Sequence, residues 1–313
     1  MNHRLSLESI RRAMNTIPRE FLHTPQFNCE PLSAILGATL TLKVETLNPI
    51  RSFKARGASH FVESLAPDTK LICASAGNFG QAMAYACRSR GMDLTVYASL
   101  HANPLKLERM RELGANVLLH GEDFDAAKLE AKRVALVTGA YMVEDGLEPL
   151  ISEGAGTIGL ELLENADYDF VLVPLGNGAL LNGVARFVKA HSSAKVVAVC
   201  AAGAPSMLES WRSGRLVSHD SIQTIADGIG VRQPIWEAVQ DMNGIVDDGV
   251  LVSDTAMLLA MRLLHLHTGL VVEPSGAVGV AALLEHSQFA GSRVATIICG
   301  GNLTQEQMQT WLG

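Results

Sequence analysis

The sequence predicts an α/β protein with largely parallel sheets. Strand-like apolar runs alternate with helical patterns almost from end to end, which is how successive βαβ units read. At 313 residues, 48% hydrophobic and only 18% charged, the chain can bury a large core in one large or two moderate domains. No internal repeat and no low-complexity linker interrupts the alternation.

The elements follow in order. Leu40-Thr41-Leu42-Lys43-Val44 reads as a strand and Phe53 to Leu65 as a helix. Leu71-Ile72-Cys73-Ala74 is an apolar strand closed by Ser75-Ala76-Gly77-Asn78, and Gly80 to Arg90 is helical. Leu94 to Ala98 and Asn116 to Leu119 are further strands, separated by a helix from Pro104 to Leu113 and followed by one from Asp125 to Val137. A second series starts at Asp169-Phe170-Val171-Leu172-Val173-Pro174, continues through a helix from Leu180 to Ala190 and a strand from Lys195 to Val199, and ends with a strand from Arg293 to Cys299. Helices from Asp254 to His267, N-capped by Asp254 and stopped by Gly269, and from Ser275 to His286 cover this later sheet. A cleft between two such lobes, at the carboxyl ends of the strands, is the expected ligand site.

Composition excludes several classes of function. A net charge of −7 without a basic block argues against nucleic acid and anionic membrane as partners, because neutralising phosphate takes clustered Lys and Arg. No apolar run reaches membrane-spanning length, and the amino terminus, with Arg4, Glu8, Arg11 and Arg12, reads as a surface helix and not as a signal peptide. Five cysteines without a C-x-x-C pair fit neither a disulfide framework nor a zinc site, and a reducing cytoplasm suits them. The ten histidines show no metal-ligand spacing, so no metal is expected.

Chemistry concentrates in four loops. Lys54 lies where Asn48-Pro49-Ile50-Arg51-Ser52-Phe53-Lys54 turns into a helix, with Ser52 as the expected N-cap. The positive end of the helix dipole disfavours an ammonium there, which suits a lysine that forms a Schiff base; a solvated surface lysine is the alternative. Ser75 to Asn78 follows a strand and precedes a helix, so its amides can face a carboxylate, or the loop is an ordinary turn capped by Asn78. Gly176-Asn177-Gly178-Ala179-Leu180 has the same setting with two glycines and is the stronger anion site. It fits neither the dinucleotide fingerprint, whose third glycine comes too early for Gly183, nor a P-loop, since Val184-Ala185-Arg186 follows. Cys299-Gly300-Gly301-Asn302 puts a thiol at the end of an apolar strand, where a buried structural cysteine is the simpler reading.

Taken together these loops resemble those of the threonine/serine dehydratase family of pyridoxal-phosphate enzymes, of the tryptophan-synthase β-like or type II fold. The likeness extends in order through Gly114-Ala115-Asn116-Val117, Gly156 to Glu161, Ala226-Asp227-Gly228, Val246-Asp247-Asp248 and Glu273-Pro274-Ser275-Gly276-Ala277, and covers about Thr24 to Asn302. It implies two open-sheet α/β lobes with the cofactor between them: a small domain over 46–148, and a large one from 1–45 plus 149–313. Pyridoxal 5'-phosphate is the implied cofactor. Lys54 would hold it covalently and then act as the base at the α-carbon; Phe53 would lie beside its ring; Gly176, Asn177, Gly178, Ala179 and Leu180 would hold its phosphate; Cys299 would face the pyridine nitrogen. Ser75, Ala76, Gly77 and Asn78 would bind the substrate carboxylate, with Asn78 also reaching the cofactor. The implied reaction is α,β-elimination from a hydroxyamino acid such as L-threonine or L-serine to a 2-oxo acid and ammonia, by a cytoplasmic homodimer. A neutral thiol at Cys299 weakens the electron sink, which favours prompt loss of the β-substituent.

The sequence departs from the family pattern at several points. Arg51 stands where glycine is usual, and it suggests a second acidic group on the substrate, as in 3-hydroxyaspartate; an outward-pointing loop arginine is the other reading. Phe79 replaces a frequent histidine, and Asn177 and Ala179 interrupt the usual glycine run. Ala76 replaces the serine of the racemase relatives, whose hydroxyl donates a proton opposite the lysine, so elimination is expected over racemisation. Cys200 to Ser206 lacks the carboxylates of the racemases' cation site. A catalytically silent ligand-binding protein is a further alternative. The chain ends at Gly313, soon after the last motif, so no regulatory domain is expected.

Overall fold

The computed structural model describes residues 3–164 and 166–313. Helix α1 (Leu7–Thr16) leads to β1 (Gln26–Asn28), α2 (Glu30–Leu36) and β2 (Thr39–Val44), and α3 (Lys54–Glu63) opens the way to a second sheet. There follow β3 (Leu71–Ala74), α4 (Asn78–Arg90), β4 (Leu94–Ala98), α5 (Pro104–Glu112), β5 (Asn116–Leu119), α6 (Phe124–Thr138) and β6 (Tyr141–Val143). The chain returns through α7 (Pro149–Leu163), β7 (Phe170–Pro174), α8 (Ala179–His191), β8 (Lys195–Ala201), α9 (Ser206–Ser213), α10 (Trp236–Asp241) and β9 (Asp248–Val252). It closes with α11 (Asp254–Thr268), α12 (Pro274–Glu285), β10 (Arg293–Ile298) and α13 (Gln305–Leu312).

Two sheets result, ordered β1-β2-β10-β7-β8-β9 and β5-β4-β3-β6. All pairings are parallel except β1 with β2, so helices must cross over both faces and the strands become continuous apolar runs. In β3 every residue is buried, as is every residue of β8 after Lys195. The α/β architecture expected from the alternation is the one observed, and β3, β4 and β5 keep their expected bounds. None of the described helices is long and apolar enough to cross a membrane.

One local expectation is corrected, one is borne out, and one helix is new. Helix α11 is capped by Ser253, whose Oγ accepts from the Ala256 amide at 3.1 Å, while Asp254 is drawn away to the Thr224 hydroxyl and the Ile225 amide. Helix α1 is the surface helix expected: Glu8, Arg11 and Arg12 are exposed, while Ile10 and Ala13 are fully buried on the face that packs on α7. Helix α7 itself escaped the sequence reading because it is buried nearly all round and shows no polar face.

Helix α7 is the platform for the Lys54 helix. A Cβ at Gly57 would come within 2.4 Å of the Ile151 carbonyl, so only glycine lets α3 approach this closely. One residue earlier, Arg56 is wholly buried and donates to Glu45 Oε1 and Oε2, both at 2.8 Å, and to Glu161 Oε1 at 2.6 Å and Oε2 at 2.9 Å. Lys43 on β2 donates to Glu161 Oε2 at 2.5 Å and to the Thr24 carbonyl at 2.8 Å. Two buried cations thus meet two buried carboxylates, and β2, α3 and α7 are tied at one point. Burial alone would raise the Glu161 carboxyl, but the hydrogen bonds and charges of Arg56 and Lys43 outweigh it and hold the group down to about 2.

Candidate active site

Lys54 is the first residue of α3. The cap is Phe53 and not Ser52: Phe53 makes no side-chain capping bond, and Ser52 pairs with Gly300 in an isolated bridge while its Oγ accepts weakly from the Lys54 amide at 3.4 Å. The Phe53 amide donates to the Cys299 carbonyl at 3.0 Å and the Gly301 amide to the Arg51 carbonyl at 3.0 Å. The Lys54 loop is therefore fastened to the end of β10. Lys54 Nζ sits 4.8 Å from the Phe53 ring centroid and 5.9 Å from that of Phe79, so two aromatic faces flank the amine.

Sequence reasoning missed the residue that Lys54 touches. Asp145, just past the end of β6, accepts a hydrogen bond from Lys54 Nζ through Oδ2, while its buried Oδ1 has no partner among the described residues. The next residue abuts the glycine loop after β7: a Cβ on Gly146 would lie 2.2 Å from the Asn177 carbonyl. This places Lys54, Asp145 and the Gly176–Leu180 loop in one cluster.

That loop runs from the end of β7 into α8, with Gly178 at φ +94° as the N-cap, a conformation that disfavours any side chain. The amides of 176–181 donate to no acceptor among the described residues. They gather at the positive end of a 13-residue helix, which is the geometry of an anion cradle.

The loop after β3 is not the ordinary turn capped by Asn78 that was one of its two readings. Helix α4 begins at Asn78 with Gly77 as N-cap, and Ser75 Oγ takes the capping role by accepting from the Gly77 amide at 3.2 Å and the Gly80 amide at 2.9 Å. Asn78 is free of that duty and reaches across the cleft. Its Nδ2 donates to Glu273 Oε1 at 2.7 Å, and its Oδ1 accepts from Asn302 Nδ2 at 2.8 Å. Ala76 and Gly77 are half-buried at the same turn.

Glu273 is the second residue whose part the sequence did not reveal. It is buried and accepts from Asn78 and from the Asn302 amide. Burial and the nearby Asp227 carboxylate push it up to about 7, against Lys106 and these two hydrogen bonds. Cys299 is buried beside it and donates to the Ser275 carbonyl at 3.4 Å; burial first, then the charge of Glu273, push the thiol far above its ordinary value, so it is neutral. A depression of about 600 Å³ lies at the amino ends of β7, β8 and β10, between Asp167, His191, Lys195 and Arg293, away from all of these residues.

The geometry brings together a lysine at a helix start, an amide cradle, an asparagine spanning the two sheets and a neutral buried thiol. The chain is 35% identical to an L-threonine ammonia-lyase of Thermotoga maritima over 304 residues, 96% of this chain and 76% of that protein. It is 32% identical to a serine racemase of Oryza sativa subsp. indica over 310 residues, 95% of this chain and 91% of that protein. Among solved structures, the processed form of threonine deaminase isoform 2 from Solanum lycopersicum superposes with a TM-score of 0.89 at 27% identity, covering 99% of this chain and 95% of the other. The family described as "Pyridoxal-phosphate dependent enzyme" matches residues 17–300, so the cluster at Lys54 lies within a chain that belongs to the pyridoxal-phosphate dependent enzymes.

Proposed function

We propose that the protein is a hydroxyamino-acid ammonia-lyase that takes L-threonine or L-serine to a 2-oxo acid and ammonia. The observation that carries this is Lys54 at the start of α3, in contact with Asp145 and beside the free amides of 176–181. The residues present fit pyridoxal phosphate: the amides of Gly176, Asn177, Gly178, Ala179 and Leu180 suit its phosphate, Phe53, next to the Lys54 amine, would flank its ring, and the neutral Cys299 thiol suits an unprotonated pyridine nitrogen. When bound, the cofactor supplies an electron sink for a carbanion at the substrate α-carbon.

Each residue then has a task. Lys54 Nζ would hold the cofactor and serve as the base that takes the substrate's α-proton. Asp145 orients that amine through Oδ2. The turn of Ser75, Ala76, Gly77 and Asn78 would receive the substrate carboxylate at the amino end of α4, and Asn78, steadied by Glu273 and Asn302, would also bind the cofactor. The bonds from Cα to hydrogen and from Cβ to oxygen break, water departs, and the enamine takes up water to give the 2-oxo acid and ammonia. Serine racemase is among the relatives, but racemisation needs a proton donor opposite Lys54, and the Ala76 methyl supplies none.

We further propose that residues 46–148 form a small domain against 1–45 plus 149–313, and that the enzyme works in the cytoplasm as a homodimer. The four-stranded sheet of its own supports the first. The five buried free thiols suit a reducing compartment, and exposed Leu129, Leu136 and Val137 on α6 offer apolar surface to a second copy. A screen of hydroxyamino acids of both configurations for 2-oxo acid release tests the reaction. Lys54→Ala should abolish release and the cofactor's absorbance band near the visible edge; a wild type that releases no 2-oxo acid from any of them would refute the assignment.

A further inference from the structure

Arg51 is one of two non-glycine residues with positive φ among the described residues, at +52°. A side chain in that region is strained, and it persists only where the surroundings hold it. The backbone there is held from three sides. The Arg51 amide donates to the Asn48 carbonyl at 3.0 Å, its carbonyl accepts from Gly301, and the preceding Ile50 carbonyl accepts from Asn302 Nδ2 at 2.8 Å. Glycine would fit this turn without strain, so the arginine side chain itself calls for a reason.

The guanidinium of Arg51 enters no hydrogen bond or ion pair with any described residue, yet it is partly buried. Burial and the neighbouring Arg109 cation both disfavour its charge, and Glu273 favours it. Arg109 reaches the same place from α5, where its Nη1 donates to Asn302 Oδ1 at 2.9 Å. Asn302 in turn bonds Asn78, so both guanidinium groups border the substrate turn. A cavity of about 310 Å³ adjoins Arg109, lined also by Gln81, Lys106 and Asn302 and by the carboxylates of Glu108 and Glu112. Lys106 is already matched by Asp227 at 2.6 Å, and Glu108 lies 3.6 Å from Arg111. Gln81, almost wholly buried, has a side-chain Nε2 without a partner among the described residues. The unpaired Arg51 guanidinium, Arg109 and the free Gln81 amide therefore gather around Asn302, which itself bonds Asn78.

We propose that Arg51 and Arg109 together bind a second carboxylate, carried on the β-carbon of the substrate, so that dicarboxylic hydroxyamino acids of the 3-hydroxyaspartate kind are preferred over threonine. A planar guanidinium fork matches a carboxylate through two parallel hydrogen bonds, and the ligand's charge relieves the repulsion between the two arginines. The substrate's α-carboxylate keeps its place at the Ser75–Asn78 turn. This inference rests on the ammonia-lyase reading for its chemistry, but its binding half stands apart from turnover.

The test uses the cofactor-loaded protein, Arg51→Gly and Arg109→Gln. In the wild type, kcat/KM for 3-hydroxyaspartate should exceed that for L-threonine, and the ratio should fall at least about tenfold in each variant, as expected for loss of a charge-assisted hydrogen bond. Calorimetry with succinate, a dicarboxylate that cannot react, should show binding to the wild type and at least about tenfold weaker binding to both variants. Arg51→Gly should also melt no lower than the wild type, since glycine is unstrained at this φ, which separates a lost contact from a lost fold. An unchanged substrate ratio together with unchanged succinate affinity overturns the proposal. So does a larger effect on O-phospho-L-serine than on 3-hydroxyaspartate, which would make the pair a phosphate site. If neither amino acid is turned over, the ammonia-lyase reading fails, and succinate affinity alone decides whether the arginine pair binds a dicarboxylate.

Discussion

Replacing Glu161 by glutamine tests whether the buried charge cluster supports the site. In the wild type this carboxylate accepts from Arg56 twice, from Lys43 and from the His23 amide at 2.8 Å. The substitution leaves Lys43 and Arg56 facing Glu45 alone, a net positive charge with no access to water. Breaking such a cluster from one side costs about 3–5 kcal/mol. The depressed carboxyl gives a similar figure: from 4.5 down to about 2, at about 1.4 kcal/mol per unit, is about 3 kcal/mol. Spread over the unfolding entropy of a chain this long, the loss lowers the melting midpoint by about 5–8 °C. The pH course follows from the sign. The wild-type advantage is complete above pH 4.5 and disappears as pH falls through about 2, so wild type and variant converge in acid. Denaturant titrations at pH 7 and pH 3 measure both effects. A loss under about 1 kcal/mol at pH 7, or a gap that does not narrow in acid, would refute the reasoning.

Three further outcomes are expected. Glu273, pushed up to about 7, contributes stability that is fully present below pH 4.5 and is lost as pH rises through 7; Glu273→Gln should remove about 3 kcal/mol of that decline, and identical pH–stability curves would count against it. Gly57→Ala should destabilise by about 1–3 kcal/mol in urea, since its methyl would meet the Ile151 carbonyl at 2.4 Å and α3 would have to lift from α7. Gly178→Ala should cost about 1–2 kcal/mol and weaken pyridoxal-phosphate binding in a fluorescence titration, since φ is +94° and the new Cβ would stand 3.0 Å from Asn182 Nδ2; unaltered affinity would argue that the cradle lies elsewhere.

Seven strands were legible because each is a short apolar run ended by a turn, and β3, β4 and β5 needed no more than that; the three-residue β1 and β6, and β9, were not read. Helix α7 was not, since a helix buried on all sides has no periodicity to read. The caps were misplaced where two candidates adjoin, as with Ser253 and Asp254, because which residue turns extended is decided by distant partners such as Thr224. Lys54, the amide cradle and Cys299 stood out by their positions at the ends of elements. Asp145 and Glu273 did not: one meets Lys54 across 91 residues, the other meets Asn78 across 195, and neither has a local pattern to mark it.

The position of β10 bears on how the protein comes to exist. It is synthesised after every other strand, yet it fills the gap between β2 and β7 in the middle of the six-stranded sheet. Until residues 293–302 have left the ribosome, β2 and β7 have no common neighbour, and the Phe53 and Arg51 backbones lack the Cys299 and Gly301 partners that fix the Lys54 loop. A nascent chain can therefore complete the small sheet early but cannot assemble the lysine cluster. Cofactor capture must follow emergence of residues 293–302, and closing a sheet across some 250 residues is expected to be the slow step of folding.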